Sequence, residues 1–220
     1  MTLPAIQLNA LYRNYGRHKV LVNINLVVNP GRILRITGGN GVGKTTLLRV
    51  LSTGLRPSNG TGLIFGANLI GEADKIRKRV LYLSAASGNS PVLTARENLN
   101  FSAKVYGAPI QNVNRVLEVI GLTKSADRTV RTFSTGMKKR LGIGRLLLIP
   151  ADLWLLDEPY AGLDQEGATL VNNLLSDAIA NGKTVIFTSH SFDNSQFPEE
   201  IVLELVNGKL CTSDSRLSNV

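Results

Sequence analysis

The sequence predicts an α/β fold: a mixed sheet with an antiparallel β subdomain at its N-terminus and a helical subdomain inserted into its later connections. Three observations carry this. Residues 5–12 and 20–28 alternate apolar and polar side chains, most clearly in Val20-Leu21-Val22-Asn23-Ile24-Asn25-Leu26, the pattern of antiparallel strands with one solvated face. Short apolar runs at residues 32–37, 80–83, 153–157 and 184–189 read instead as buried strands, joined in part by helical patterns. Between Thr94 and Pro150 three helical patterns follow one another with no convincing strand between them.

In chain order, the two alternating strands end at the Pro30-Gly31 turn. The strand over 32–37 then runs into Gly38-Gly39-Asn40-Gly41-Val42-Gly43-Lys44-Thr45, which fits G-x-x-x-x-G-K-[ST]. Glycines at this spacing let consecutive N–H groups turn inward around an anion. The loop opens into a helix over 46–51, whose N-terminal partial positive charge favours phosphate. In this motif Lys44 reaches the terminal phosphates and the Thr45 hydroxyl ligates Mg²⁺. Arg56-Pro57-Ser58-Asn59-Gly60 reads as a turn before a short strand at 62–65. The helical patterns cover 95–105, 111–120 and 135–149. Alternation resumes with a strand at 153–157, a helix at Gln165–Ala180 and a strand at 184–189, and closes with a strand pair at Ile201–Val206 and Lys209–Thr212.

Composition narrows the function classes. At 220 residues and 43% hydrophobic, the chain can bury a substantial core, which argues against disorder. The single cysteine, Cys211, excludes an intramolecular disulfide and fits a reducing compartment. No charged-then-apolar leader opens the sequence, and the longest apolar stretch, residues 141–156, is broken by Arg145, Pro150 and Asp152. We therefore expect a soluble protein that meets a membrane only through a partner. Nearly all of the net charge of +9 lies in residues 1–71, which hold Arg13, Arg17, Lys19, Arg32, Arg35, Lys44, Arg49 and Arg56 and no acid. Such a half could attract nucleotide, nucleic acid or anionic headgroups, or simply be a solvated surface. Few aromatic residues are interleaved with it, which weakens a single-strand stacking platform.

Leu153-Trp154-Leu155-Leu156-Asp157-Glu158 is an apolar run ending in two carboxylates. Open parallel sheets bind ligands beyond the carboxyl ends of their strands, so both acids should project toward the nucleotide. Asp157 is placed to hold Mg²⁺ through water, and Glu158 to orient or deprotonate an attacking water. His190 follows the next apolar strand end in the same way; alone it would be more often structural than catalytic.

Together these segments resemble the nucleotide-binding subunit of ATP-binding-cassette (ABC) transporters over essentially the whole chain. The phosphate loop Gly38–Thr45, the apolar run ending in Asp157-Glu158, Ala161-Gly162-Leu163-Asp164 as the D-loop, His190 as the switch histidine and Phe133-Ser134-Thr135-Gly136-Met137 as the signature segment come in the family's order. The resemblance implies the ABC ATPase architecture: one domain over 1–220, with a P-loop NTPase core and N-terminal β subdomain at 1–83 and 151–220, and a helical subdomain at 84–150. It implies a head-to-tail dimer with ATP held between two copies. Gly38, Asn40, Gly41, Gly43, Lys44, Thr45 and Thr46 would take the phosphates, and Thr45 and Asp157 the Mg²⁺. Ser134 and Gly136 of the second copy would close over the γ-phosphate. Glu158 would act on water, His190 would hold the γ-phosphate, and Asp164 would communicate across the dimer. Tyr15 stands where the family stacks an aromatic on adenine, with Tyr12 as the alternative.

The chain departs from the family's pattern in three places. Thr135 and Met137 replace a glycine and a glutamine of the signature, and Tyr160 replaces a small hydroxyl residue. The third departure is larger. The family's glutamine after the strand ending at Leu83 is missing: Ala85 and Ala86 are the candidates for its place, and no glutamine lies between Gln7 and Gln111. Slower or less tightly gated hydrolysis is expected, with ATP binding kept. The segments Thr94-Ala95-Arg96-Glu97-Asn98-Leu99, Phe133-Ser134-Thr135-Gly136-Met137 and Leu155-Leu156-Asp157-Glu158-Pro159-Tyr160 are similar to the ATPases of haem exporters in cytochrome c biogenesis, and also to drug or polysaccharide export cassettes. Little chain follows the last strand pair, so no C-terminal regulatory domain is expected. The partners implied are an integral membrane permease and a second copy of the chain, on the cytoplasmic face of the inner membrane. The alternative is a soluble ABC ATPase acting on ribosomes or nucleic acid; those usually carry two fused cassettes or coiled-coil insertions, which this chain lacks, so nucleic acid is the less expected partner.

Overall fold

A computed structural model of the protein describes residues 3–190 and 197–212. Its N-terminal strands β1 (Ile6–Tyr15) and β2 (His18–Val28) form an antiparallel hairpin. β4 (Asn59–Ile64) pairs antiparallel with the other edge of β1, and the two-residue β5 (Ala67–Asn68) completes a four-stranded sheet in the order β2-β1-β4-β5. β4 begins earlier than the turn-like sequence 56–60 suggests. Long β1 offers a partner as far as Tyr12 opposite Asn59, and Gly60 lets the two backbones meet where a Cβ would stand 2.0 Å from the Ala10 carbonyl oxygen.

The second sheet has six strands: β3 (Ile33–Thr37), β6 (Val80–Leu83), β7 (Leu153–Leu156), β8 (Thr184–Thr188), β9 (Ile201–Val206) and β10 (Lys209–Thr212). Their order is β10-β9-β3-β8-β7-β6, parallel throughout except for β10. The central strands β3, β7 and β8 are buried along their whole length, which is why they read as continuous apolar runs.

Period-two alternation sends neighbouring residues of these strands into different cores. Leu34, Ile36, Leu153, Leu155 and Ile186 face α1 (Lys44–Leu51), whose Leu47, Leu48, Val50 and Leu51 share one cluster with Ile6, Leu8 and Ile24 of the first sheet. The apolar face of α1 is therefore wide, because both sheets contribute to the cluster it packs in, while Thr45 and Arg49 stay on its exposed face. On the other face, Leu81, Leu83, Trp154, Leu156, Val185 and Phe187 pack with α3 (Ala95–Tyr106), α4 (Val113–Val119), α5 (Thr135–Leu148) and α6 (Gln165–Ala180). A short α2 (Ala73–Arg77), not evident from periodicity, precedes β6. The helix read at 111–120 is a 3₁₀ turn at Ile110–Asn112 followed by α4. Thr94 caps α3 with a full capping box to Glu97, closed at the other end by Gly107.

Candidate active site

The phosphate loop joins β3 to α1, and its glycines are required on two grounds. Gly38 and Gly43 have φ of 138° and 113°, which side chains rarely adopt. A Cβ on Gly38 would stand 2.5 Å from the Leu205 carbonyl oxygen, and one on Gly43 would stand 3.0 Å from Val20 Cγ1 and 3.1 Å from Val20 O. The loop is thus seated between β9 and the N-terminal hairpin. Lys44 is only 6% exposed and turns back so that Nζ donates to Gly38 O (2.6 Å) and Gly39 O (2.9 Å). Burial draws its pKa below the ordinary lysine value, opposed by the nearby charges of Glu158 and Asp157.

Asp157 follows the end of β7, beside the end of β6 on one side and β8 on the other, and is 2% exposed. A carboxylate at this depth needs every lone pair answered. Thr45 Oγ1 donates to Oδ2 at 2.7 Å, and Thr188 Oγ1 donates to Oδ1 at 2.8 Å. The Asp157 N–H donates to Leu83 O at 2.8 Å, locking the two strand ends together. Tyr82 stands next to the same carboxylate: burial first, then the charge of Asp157, pushes its phenol up to about 12. Thr188 serves twice, since its Oγ1 also accepts from the Glu158 N–H at 2.9 Å.

Glu158 has a left-handed φ of 51°, a conformation that costs a non-glycine residue roughly 1 kcal/mol. The result is that Glu158 lines one cleft of about 140 Å³ with Gly39, Asn40, Gly41, Gly43, Lys44, Thr45 and Thr46. His190 closes the group, with Nε2 2.5 Å from Glu158 Oε1. The phosphate loop, both acids and the histidine therefore converge.

Other candidate residues lie outside that cleft. Ser134 caps α5, its Oγ accepting from the Met137 N–H at 3.2 Å, and is exposed. Gly136 packs beside Gly162 of the same chain. Asp164 caps α6 by accepting from the Gly167 N–H at 2.8 Å, and also receives Arg140 Nη2 at 3.0 and 3.1 Å. Tyr15 ends β1 and is 45% exposed, with the Arg13 guanidinium 4.5 Å from its ring centroid. Tyr12 is half-buried within the sheet.

Three residues of this neighbourhood were not singled out by sequence reasoning: Thr188, Tyr82 and Lys139. Thr188 was detectable only as the hydroxyl that closes a strand with an apolar interior, Val185-Ile186-Phe187. Lys139 is a charge on the buried face of α5, in step with Gly142, Ile143 and Leu146. A larger cleft, about 1210 Å³, is elsewhere: it is lined by Ser52, Thr53, Asp74, Arg77, Lys78 and Tyr82 on one side and by Val105 and Tyr106 of α3 on the other.

A phosphate loop at a parallel strand end, faced by a buried aspartate and a glutamate, defines a P-loop nucleotide-binding protein. Comparison with known proteins narrows this. Residues 21–161 match the family model described as ABC transporter. The chain is 37% identical over 201 residues, 90% of its own length and 93% of the relative's, to the cytochrome c biogenesis ATP-binding export protein CcmA of Xylella fastidiosa. It is also 37% identical over 185 residues to the bacitracin transport ATP-binding protein BcrA of Bacillus licheniformis, covering 84% of this chain and 60% of that protein. The ATP-binding subunit of an ABC transporter of known structure shares the fold at a TM-score of 0.86 and 24% identity, over 96% of this chain and 91% of that one. The chain belongs to the ABC transporter family. It is an ATP-binding subunit of that family, and such subunits are ATPases. No helix among the described residues is long and apolar enough to cross a membrane.

Proposed function

We propose that this chain binds ATP between two head-to-tail copies and hydrolyses it to drive export through a separate integral membrane permease. The observation that carries this is that Lys44, Thr45 and Glu158 line one cleft, with Asp157 bound to Thr45 and His190 against Glu158, while Ser134 is exposed at the start of α5 with Gly136 next to it in the first turn. In one copy the loop N–H groups and Lys44 hold the phosphates, with Asn40 and Thr46 on the cleft wall and Tyr15 against adenine. The second copy brings Ser134 and the N-terminus of its α5 to the γ-phosphate. Glu158 orients and takes a proton from the attacking water, and His190, already against Glu158, holds both to the γ-phosphate. Asp164 and Arg140 tie the D-loop to the signature helix at the dimer face.

The residues fit Mg²⁺. One buried carboxylate and one hydroxyl, 2.7 Å apart, form a hard-oxygen donor set of the kind Mg²⁺ uses when water and phosphate supply the rest. When bound there, Mg²⁺ neutralises charge developing on the phosphates. Residues 84–150 act as a helical subdomain, with 1–83 and 151–220 as the core. The large cleft beside α3, with Phe101 and Val105 about three-fifths exposed nearby, is the seat we assign to the permease on the cytoplasmic face of the inner membrane. By likeness to CcmA, we infer that the exported cargo is haem for cytochrome c biogenesis.

Two measurements test this. Glu158→Gln with Mg-ATP should convert the isolated protein from monomer to a stable dimer in size-exclusion chromatography; a persistent monomer that still binds ATP would count against the sandwich. In a strain lacking the gene, haem-stained c-type cytochromes should disappear and return with the wild-type chain but not with Glu158→Gln. Unchanged cytochromes would remove the haem assignment and leave the export reading.

A further inference from the structure

Lys139 is 3% exposed, yet a buried ammonium is costly unless its charge is answered. Its Nζ donates to one oxygen, the Ala85 carbonyl, at 3.2 Å. The remaining compensation is Coulombic and comes from Glu158 and Asp157, the same two acids that face Lys44. Ala85 is one of the two alanines at the place of the missing glutamine, and neither alanine side chain can make a polar contact.

The rest of α5 holds the loop against the helix. Arg145 Nη2 donates to the Ser87 carbonyl and to Asn89 Oδ1 (2.6 Å). Asn89 Nδ2 donates to Lys138 O at 2.7 Å. Gly142 leaves the space that Ser87 and Leu83 fill: a Cβ there would stand 2.8 Å from Ser87 Cβ. Arg145, Asn89 and Gly142 thus hold the loop at contacts of their own, apart from the one made by Lys139.

We propose that Lys139 is a positioning residue for ATP hydrolysis, which holds the Ala85 carbonyl from α5 and keeps a second buried cation within electrostatic reach of Asp157 and Glu158, substituting for the glutamine this chain lacks. This rests on the reading of Glu158 as the residue that acts on water. It also gives α5 two duties, because the helix that opens with Ser134 and Gly136 for the partner's ATP carries, one turn later, a charge bound to its own site.

The test is the methionine variant, which keeps the length and volume of the stem without the charge. In Lys139→Met, kcat should fall about 10-fold or more, as for loss of one preorganised electrostatic contact. Affinity for a fluorescent ATP analogue should stay within ~2-fold, because Lys44 and the loop amides still grip the phosphates. The melting temperature should hold or rise, since replacing a buried charge by an apolar group is often neutral or stabilising. Adding Ala85→Gln or Ala86→Gln to Lys139→Met should recover turnover. Wild-type turnover in Lys139→Met overturns the proposal, and so does lost turnover that tracks a lower melting temperature with no recovery by glutamine. Glu158→Gln run in parallel separates the two readings: if it hydrolyses normally, the site assignment itself falls and the role of Lys139 falls with it.

Discussion

β6 and β7 are adjacent parallel strands whose ends are joined by the Asp157 N–H to Leu83 O bond, yet they finish in opposite chemistry. β7 runs into Asp157 and Glu158, whose polar groups are answered by Thr45, Thr188 and His190. β6 runs into Ser84, Ala85 and Ala86, whose loop is held by its backbone and by side chains reaching across from α5. One strand end carries its own reactive groups; the other borrows them from a helix over fifty residues further along the chain. The difference teaches that a position empty in sequence can be filled in space, so a missing motif residue is a statement about the loop and not yet about the site.

The largest effect should come from the self-sufficient end. Glu158→Gln removes the carboxylate proposed as the base while leaving the phosphate loop intact, and phosphate release should fall by roughly 10²–10⁴-fold, the range for loss of a general base. A smaller loss would mean that the borrowed end carries more of the reaction than the acids do. Thr188→Val comes next. It strips a hydrogen bond from buried Asp157 Oδ1 and another from the Glu158 N–H, and leaving such groups unpaired costs about 1–3 kcal/mol each. Turnover should fall about 10-fold with a lower melting temperature in calorimetry.

On the other side, Arg145→Met frees the Ser87 carbonyl and Asn89 Oδ1 and should destabilise by about 1–3 kcal/mol in urea melts, with faster proteolysis within residues 84–89. Protection of that loop equal to wild type would show that Lys139 and Gly142 alone hold it. The smallest effect is the restoration of glutamine in the otherwise unaltered chain. Ala85→Gln or Ala86→Gln should raise ATPase activity about two- to threefold, since Lys139 already provides part of what one well-placed polar contact supplies. No change at either position would remove the idea that the loop limits hydrolysis.

Much of this was legible in the sequence. The phosphate loop, the strand ending in Asp157-Glu158, the helix at Gln165–Ala180 and the closing strand pair stand where the residues place them, because each depends on local periodicity or on a short motif with its own backbone requirement. The hairpin is longer than the alternation over 5–12 implies: β1 continues to Tyr15 because β2 pairs with it as far as His18, beyond the point where β4 leaves its other edge at Tyr12. The short α2 was not recognised, since five residues offer too little periodicity. Among site residues, Thr188 carried no motif. Its role is defined by β8 lying next to β7, a neighbour relation that neither strand encodes by itself.

By itself the sequence determined which chemistry is available: a glycine-rich loop for phosphate, two acids at a strand end, a histidine at the next, and no glutamine after Leu83. Those follow from residue type and spacing over a few positions. Only the tertiary structure decided which groups meet. It set His190 on Glu158, gave both oxygens of Asp157 a hydroxyl, and brought Lys139 from α5 to the carbonyl of Ala85. The physical reason is that hydrogen bonds and charges act over a few ångströms, whereas the residues concerned are 31, 32, 54 and 112 positions apart in the chain, and strand order and helix packing alone close those distances.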